Sequence, residues 1–451
     1  MIKLITNNKD LNICIENIKD LETLSIDTET EGFDPFTCKL LTLQVGNKFN
    51  QYVIDCSKVN ILLLKLLLES KLCILANAKF DWRFLYHNGI DIKNIYDVFL
   101  AECVLTTGYD NDSRNLSLEA MALKYCNAKL DKTIRSRINI EGLTDRVIQY
   151  AAEDVAYLED IMNAQKQLIN SFDLNKVLDL ENKVVRVFAK MEYEGILINR
   201  NKWVDVASEI KEINNQIEKK LDDIIVKEGL TNKNLAKLTQ VQTDLFSDDY
   251  RKTYINWSSS KQKVNVLNHL GIPISSVAEK ELQKNKTKHY IVKELLELSK
   301  FNKLESSFGY DFLKFINPKT KRVHSNIWQI LSTGRISMSE PNLQQIPAHS
   351  RLGQVIKSCF IPKEGYKFVS ADYSGFELRI IAEFSKDPLW VEIFKNGQDL
   401  HSVLCSKTFD IPIEKVKDPF PGKPDISYRF LSKTCHFGFN NSCYKFFKNL
   451  T

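Results

Sequence analysis

The hydrophobic period of this chain changes along its length, and that change limits its possible folds more than any other feature. Near the N-terminus, ETLSIDTET (22–30) alternates so that Leu24 and Ile26 share one face, and KLLTLQVG (39–46) and QYVID (51–55) continue as strands. ILLLKLLLES (61–70) and NLSLEAMALKYC (115–126) then take up the helical period. Strands followed by packed helices predict an α/β or α+β domain over roughly the first 175 residues. From Leu180 a lysine- and glutamate-rich helical pattern runs to Gly229, interrupted around Gly195, and a mostly helical pattern extends to Ile316. A polar loop near INWSSSKQ (255–262) and a Gly-Ile-Pro turn at 271–273 punctuate it. After that an α/β pattern resumes, in which YKFVSADYS (366–374) is expected to be a buried strand ending in Asp372. At 451 residues the chain is too long for one core, so the expected division is 1–178, a helical 179–316, and a third region at 317–451.

Within the first region three clusters carry chemistry. Asp27 and Glu29 form a D-x-E at the end of a strand, where the period of two points both side chains the same way. Asn77 and Asp81 are four apart on one expected helix face, and Tyr150 and Asp154 have the same spacing on another. Each pair alone is ordinary: a solvated strand end, a helix with an exposed acid, a core tyrosine with its hydroxyl at the surface. Their order and spacing together are far more specific.

Residues 1–178 resemble the DEDD exonuclease superfamily in its tyrosine-containing subclass. The resemblance implies an RNase H-like fold in which Asp27, Glu29, Asp81 and Asp154 gather around two Mg²⁺ ions, for which Mn²⁺ can substitute. Two hard cations roughly 4 Å apart need oxygen ligands while they clamp the attacking and leaving oxygens of a phosphodiester. Tyr150 would orient the attacking water and Asn77 would touch the terminal nucleotide of a single-stranded 3′ end. Ala76 stands where relatives often carry histidine, a position that is not a metal ligand.

The string STGRISMSEPNLQQIP (332–347) resembles the TGR…PNLQ-IP signature of family A DNA polymerases, the bacterial DNA polymerase I family. There Arg335 would reach the minor groove of a primer–template, and Asn342, Gln344 and Gln345 would bond sugars and base edges. Minor-groove acceptors are nearly sequence-independent, as copying any template requires. FVSADYSGFELRIIAEFS (368–385) resembles the family's motif A, with Asp372 as a metal ligand, Glu377 against the sugar 2′ position and Arg379 closing the motif. Gly375 replaces the usual glutamine. QDLHSVLCSKTF (398–409) resembles the family's DIHxxTA segment, which implies His401 as a phosphate contact, and YRFLSKTCHFGF (428–439) resembles the fingers helix, with Arg429, Lys433 and Phe437 along one face for a dNTP. Asn441 and Ser442 replace that helix's usual tyrosine and glycine.

No HD or DE dipeptide follows Asp372, so the second palm carboxylate that motif C supplies in the family is absent before Thr451. The expected architecture is an RNase H-like domain, a helical thumb and an incomplete palm and fingers. The expectation is therefore that this chain alone does not extend a primer, leaving room for a second polypeptide that supplies the remaining palm. The leading reading is a 3′→5′ proofreading exonuclease joined to part of a DNA-synthesis module. A stand-alone 3′→5′ exonuclease and a non-catalytic DNA-binding subunit are the alternatives.

Composition narrows the setting. A net charge of +5 is compatible with a polyanionic partner, and 43% hydrophobic with 26% charged residues is a globular balance. No apolar run spans a bilayer and MIKLITNNKD has no signal-peptide core, so a cytoplasmic, membrane-free protein is expected. Ten cysteines without a C-x-x-C pair suggest neither a zinc site nor a disulfide framework. The Lys/Asn/Ile-rich composition fits an AT-rich genome, as in a bacteriophage or organelle replication enzyme.

Overall fold

The computed structural model describes residues 1–109, 114–130, 138–229, 242–243, 251–253, 255–347, 350–421 and 423–433. Compactness divides the chain into two units, Met1–Lys367 and Phe368–Thr451. This boundary differs from those drawn on hydrophobic period.

The first unit begins with a six-stranded sheet of β1 (Ile2–Ile5), β2 (Thr23–Thr30), β3 (Leu40–Gly46), β4 (Gln51–Asp55), β5 (Leu72–Leu75) and β6 (Asn94–Asp97), in the order β1-β4-β3-β2-β5-β6. β3 runs antiparallel to β2 and β4, while β1, β5 and β6 pair in parallel with their neighbours. The strands predicted from alternation, β2, β3 and β4, are the centre of this sheet. Its helices are α1 (Asn8–Ile18), α2 (Lys65–Ser70), α3 (Ala78–His87), α4 (Val98–Leu105), α5 (Leu118–Cys126), α6 (Ile138–Glu141), α7 (Asp145–Ala156) and α8 (Leu158–Ser171). The apolar run expected as one helix at 61–70 begins instead as a 3₁₀ turn over Ile61–Leu64.

The two faces of β2 do different work. Leu24 and Ile26 are fully buried in the main core. On the other face, register places Leu4, Val53, Gln44 and Asp27 in one row across four strands. α7 packs on that row through Ala151 and Ala152, both fully buried with Val53. Side chains this small let the helix axis approach the sheet closely.

α9 (Asn175–Glu194) follows, then β7 (Ile196–Leu197) and the 28-residue α10 (Arg200–Lys227). The division expected at residue 178 falls inside α9, which buries Leu178, Val185 and Ala189 in the same core as the sheet. Asn182 on this helix accepts the Asp97 N–H at 3.0 Å, and Arg186 pairs with Asp91 at 2.9 Å. Gly195 ends α9 at φ +56°, where a Cβ would come within 2.6 Å of the Val323 carbonyl oxygen.

A second core joins α10 to α11 (Ser260–His269), α12 (Glu279–Lys284) and α13 (Tyr290–Phe308) around Leu221, Trp257 and Leu295. A third forms around Trp203, fully buried and stacked on Phe312 at 4.0 Å. The short pair β8 (Gln242–Thr243) and β9 (Arg251–Lys252) is antiparallel, and β10 (Arg322–Val323) pairs with β7. β11 (Asn326–Trp328) and β12 (Ser337–Ser339) form a hairpin, and α14 (Arg351–Lys357) follows it.

The second unit carries α15 (Phe376–Ser385), α16 (Pro388–Lys395) and α17 (Leu400–Phe409), packed through Leu378, Ile393 and Leu400. The antiparallel pair β13 (Pro419–Phe420) and β14 (Lys423–Ser427) completes its regular pairing, and residues 428–433 are helical. The strand expected at 366–374 is not formed: the segment has no regular structure and is exposed throughout, Val369 at 93%. A strand takes its hydrogen bonds and its burial from neighbours, and among the described residues none pairs with it. Apolar alternation alone could not supply those partners. No described helix is long and apolar enough to cross a membrane.

Candidate active site

The end of β2 is where acids converge. Carboxylate oxygens of Asp27, Glu29 and Asp154 all lie within 4.8 Å of one another. Asp27 and Glu29 share a strand face, and α7 brings Asp154 down onto it, with Glu29 and Asp154 at 6% and 4% exposure. Tyr150, one helical turn before Asp154, is also buried. Three hard oxygen donors at this spacing are a donor set suited to a divalent cation.

Asp81 reaches the same cavity from the opposite face of β2 and is not one of the three clustered acids. It sits in the first turn of α3, and the Thr28 hydroxyl donates to its Oδ1 at 2.6 Å. Burial raises the Asp81 carboxyl to about 7; the Thr28 bond opposes that rise, and the charges of Asp97 and Glu29 add to it. Burial and the neighbouring negative charges both favour its protonated form.

Asn77 is not on the helix face that spacing predicted. It caps α3 in the left-handed conformation, φ +67° and ψ +54°. Its N–H and that of Ala78 donate to Asp97 at 3.0 and 2.9 Å. Asp97 also caps α4, accepting from Phe99 N–H at 2.9 Å. Burial lifts its carboxyl to about 6 against the pull of these backbone donors. A buried acid ending a strand gives no period-based signal, so sequence reasoning missed Asp97.

The cavity around these acids is about 800 Å³. Phe33, Asn77, Lys79, Arg83, Phe99 and Glu192 line it, together with Asn326, Ile327, Trp328 and Glu340 from the hairpin. Trp328 is 45% exposed, with its ring edge-on to Phe99 at 5.5 Å. Neither Trp328 nor Glu192 was found in the sequence, because both come from segments distant in the chain.

The remaining candidates fall in two places. In the first unit, the turn between β11 and β12 puts Arg335 on an exposed tip, closed by a Leu331 N–H bond to its carbonyl at 2.9 Å. Asn342 Oδ1 accepts the Gln344 N–H at 3.0 Å and so caps a 3₁₀ turn, leaving Gln344 and Gln345 exposed. Gln345 lines a second cavity of about 880 Å³ with Lys293, Lys300, Lys303 and Arg351.

In the second unit, Asp372 is exposed in the irregular segment and Glu377 lies in the first turn of α15, also exposed. His401 is buried at the start of α17. Arg429 grips Asp399 through two bonds of 2.7 and 3.0 Å, and its Nε is 3.2 Å from Ser402 Oγ. Burial would raise the Asp399 carboxyl, but the Arg429 and Ser402 bonds outweigh it and hold it at about 2. Lys433 follows Arg429 by one helical turn, and Phe437 lies outside the described residues.

Comparison with known proteins gives two family matches. A model described as 3′-5′ exonuclease matches residues 2–169, and one described as DNA polymerase family A matches residues 201–439. The chain is 28% identical over 452 residues to DNA polymerase I of Borreliella burgdorferi, covering 96% of this chain and 46% of that protein. It is 28% identical to DNA polymerase I of Aquifex aeolicus, covering 89% and 67%, and 36% identical over 194 residues to the thermostable DNA polymerase I of Thermus aquaticus, covering 41% and 22%. The chain thus spans less than half of the Borreliella relative. Among solved structures it is similar in fold to the POL domain of Pol1 from M. smegmatis in complex with DNA primer-template and dNTP. That match has a TM-score of 0.76 at 22% identity and covers 97% of this chain and 71% of that one.

Proposed function

The chain belongs to DNA polymerase family A, and on that premise we propose that its acid cavity removes nucleotides from DNA 3′ ends, as a proofreading exonuclease. The observation that carries this reading is the meeting of Asp27, Glu29 and Asp154 within 4.8 Å in a cavity that Asp81 and Tyr150 also line. Two Mg²⁺ ions held by Asp27, Glu29, Asp81 and Asp154, or Mn²⁺ in their place, would supply the charge that stabilises the attacking and leaving oxygens.

This chain's own residues do the rest. Tyr150 orients the attacking water. Asp81, whose carboxyl burial pushes up, ionises more readily when cations offset its charge. The aromatic rings of Phe33 and Trp328, at 79% and 45% exposure, offer faces on which unpaired bases stack, a sequence-tolerant contact. Asn77 meets the terminal nucleotide.

The 201–439 region is proposed to bind primer–template and dNTP. Arg335, Asn342, Gln344 and Gln345 take the minor groove. The lysines of α13 and Arg351 give their cavity a basic wall for backbone phosphates. Asp372 holds metal, Glu377 faces the sugar, and His401, Arg429, Lys433 and Phe437 take the nucleotide.

The test is a 5′-labelled primer–template incubated with Mg²⁺, with and without dNTPs, beside an Asp27→Ala/Glu29→Ala variant. Shortening from the 3′ end that the variant lacks is the expected result. A variant as active as the parent ends the reading. Equal attack on RNA single strands replaces it with a general 3′ trimming nuclease.

A further inference from the structure

Glu192 lies near the end of α9, four residues before β7, and between the two stretches matched by the family models, 2–169 and 201–439. Its side chain is 3% exposed, yet it carries a carboxylate, and a buried charge persists only where donors compensate it. Three do. Lys79 Nζ donates to Oε1 at 2.5 Å, Arg83 Nη1 stands 3.5 Å from Oε2, and the Ile327 N–H donates to Oε1 at 2.7 Å. Lys79 also donates to the Ile327 carbonyl.

The three donors come from two segments on different sides of one cavity. Lys79 and Arg83 are i and i+4 on α3, the helix whose first turn carries Asp81 between them. Ile327 is the middle residue of β11, and its neighbours Asn326 and Trp328 line the cavity with Asp81. Resting on the exonuclease reading, we propose that Glu192 is a positioning residue of that cavity: it pins β11 against the acid-bearing helix and so sets the width of the cleft that admits a single strand.

Without the carboxylate, Lys79 and Arg83 become buried cations facing each other and the Ile327 N–H loses its acceptor. β11 then relaxes away from α3 and the strand-binding wall with it. Glu192 is not among the three clustered acids, so the chemical step is disturbed less than the binding of the strand.

The experiment uses the full chain with Glu192→Ala and Glu192→Gln. Gln keeps the volume and one acceptor for Ile327 but not the charge, and serves if Ala does not fold. Binding of a fluorescent single-stranded oligonucleotide is measured in EDTA, where cleavage plays no part. Amide hydrogen exchange is followed at residues 325–330 alongside β2 and β3, and with Mg²⁺ KM and kcat are compared. The expected result is at least fivefold weaker binding for Ala and an intermediate loss for Gln. Exchange should be faster at 325–330 with β2 and β3 unchanged, and KM should rise at least fivefold while kcat falls no more than twofold. Unchanged binding and exchange in a folded variant overturns the proposal, as does a fall in kcat at constant KM. Uniform loss of protection across the sheet makes Glu192 a stability element only, and overturns it too. If the parent chain binds the strand but never shortens it, the exonuclease reading fails while the binding and exchange results still decide the role of Glu192.

Discussion

Asp97 accepts backbone hydrogen bonds from two helix starts, from Asn77 and Ala78 at the start of α3 and from Phe99 at the start of α4. Those bonds hold Asn77 at positive φ, a conformation that asparagine tolerates better than most residues. Asp97→Asn keeps the shape but replaces one acceptor oxygen with a donor group facing donors, at a cost of about 2 kcal/mol by the usual price of an unmatched buried polar group. The pH dependence has a definite sign. The folded carboxyl titrates at about 6 against an ordinary 3.8, so between those values the folded state binds more proton than the unfolded one, and the stability it contributes falls as pH rises. The margin of the parent over Asp97→Asn should therefore be larger at pH 4 than at pH 7. Urea unfolding at the two pH values checks this, and an equal or reversed margin would show that burial does not govern this carboxyl.

Elements matter here through how closely they approach. α7 delivers Asp154 to Asp27 and Glu29 because Ala151 and Ala152 leave no side-chain bulk between the helix and Val53. Ala152→Leu should push α7 off the sheet, costing roughly 1–3 kcal/mol by overpacking. It should also lower the 3′-end removal rate at least tenfold although every acid is still present. A normal rate in a folded Ala152→Leu chain would mean that the acid spacing does not depend on this contact. The packing of α10 is the opposite case, a large residue in a filled site. Trp203 stacks on Phe312 at 4.0 Å, meets Phe360 edge-on at 5.8 Å and donates to the Gly309 carbonyl at 3.3 Å. Trp203→Ala should cost about 3–5 kcal/mol. Calorimetry should show that loss in the transition that includes α10 and α14, the elements packed around this ring.

At the scale of the whole molecule, the compact division at Lys367–Phe368 falls in irregular chain in which Tyr366, Phe368, Val369 and Tyr373 are all exposed. Exposed irregular backbone is the preferred substrate of proteases. Brief chymotrypsin treatment should cut first within 366–373, and the fragment ending there should retain 3′-end removal, because the acid cavity is built wholly from residues before it. Early cutting inside the β1–β6 sheet, or a fragment inert toward single strands, would contradict this.

The strands β2, β3 and β4, the long helices α9 and α10 and the break at Gly195 were legible from hydrophobic period and punctuation, since those depend on nearest neighbours along the chain. Strand and helix periods also place Asp27 with Glu29, and Tyr150 with Asp154, on one face each, but only the family resemblance marked these ordinary pairs as a site. What sequence reading got wrong at 366–374 it got wrong for the same reason: a strand is stable only beside another, and no local pattern contains its partner. Asn77 as a left-handed cap, Asp97 beneath it and Glu192 between α3 and β11 were decided by tertiary structure. Their partners are 20, 19 and 135 residues away. The sequence determined which residues could hold charge at the cavity; folding decided their separation and which carboxyls are pushed upward, because burial and electrostatic coupling depend on distance in space.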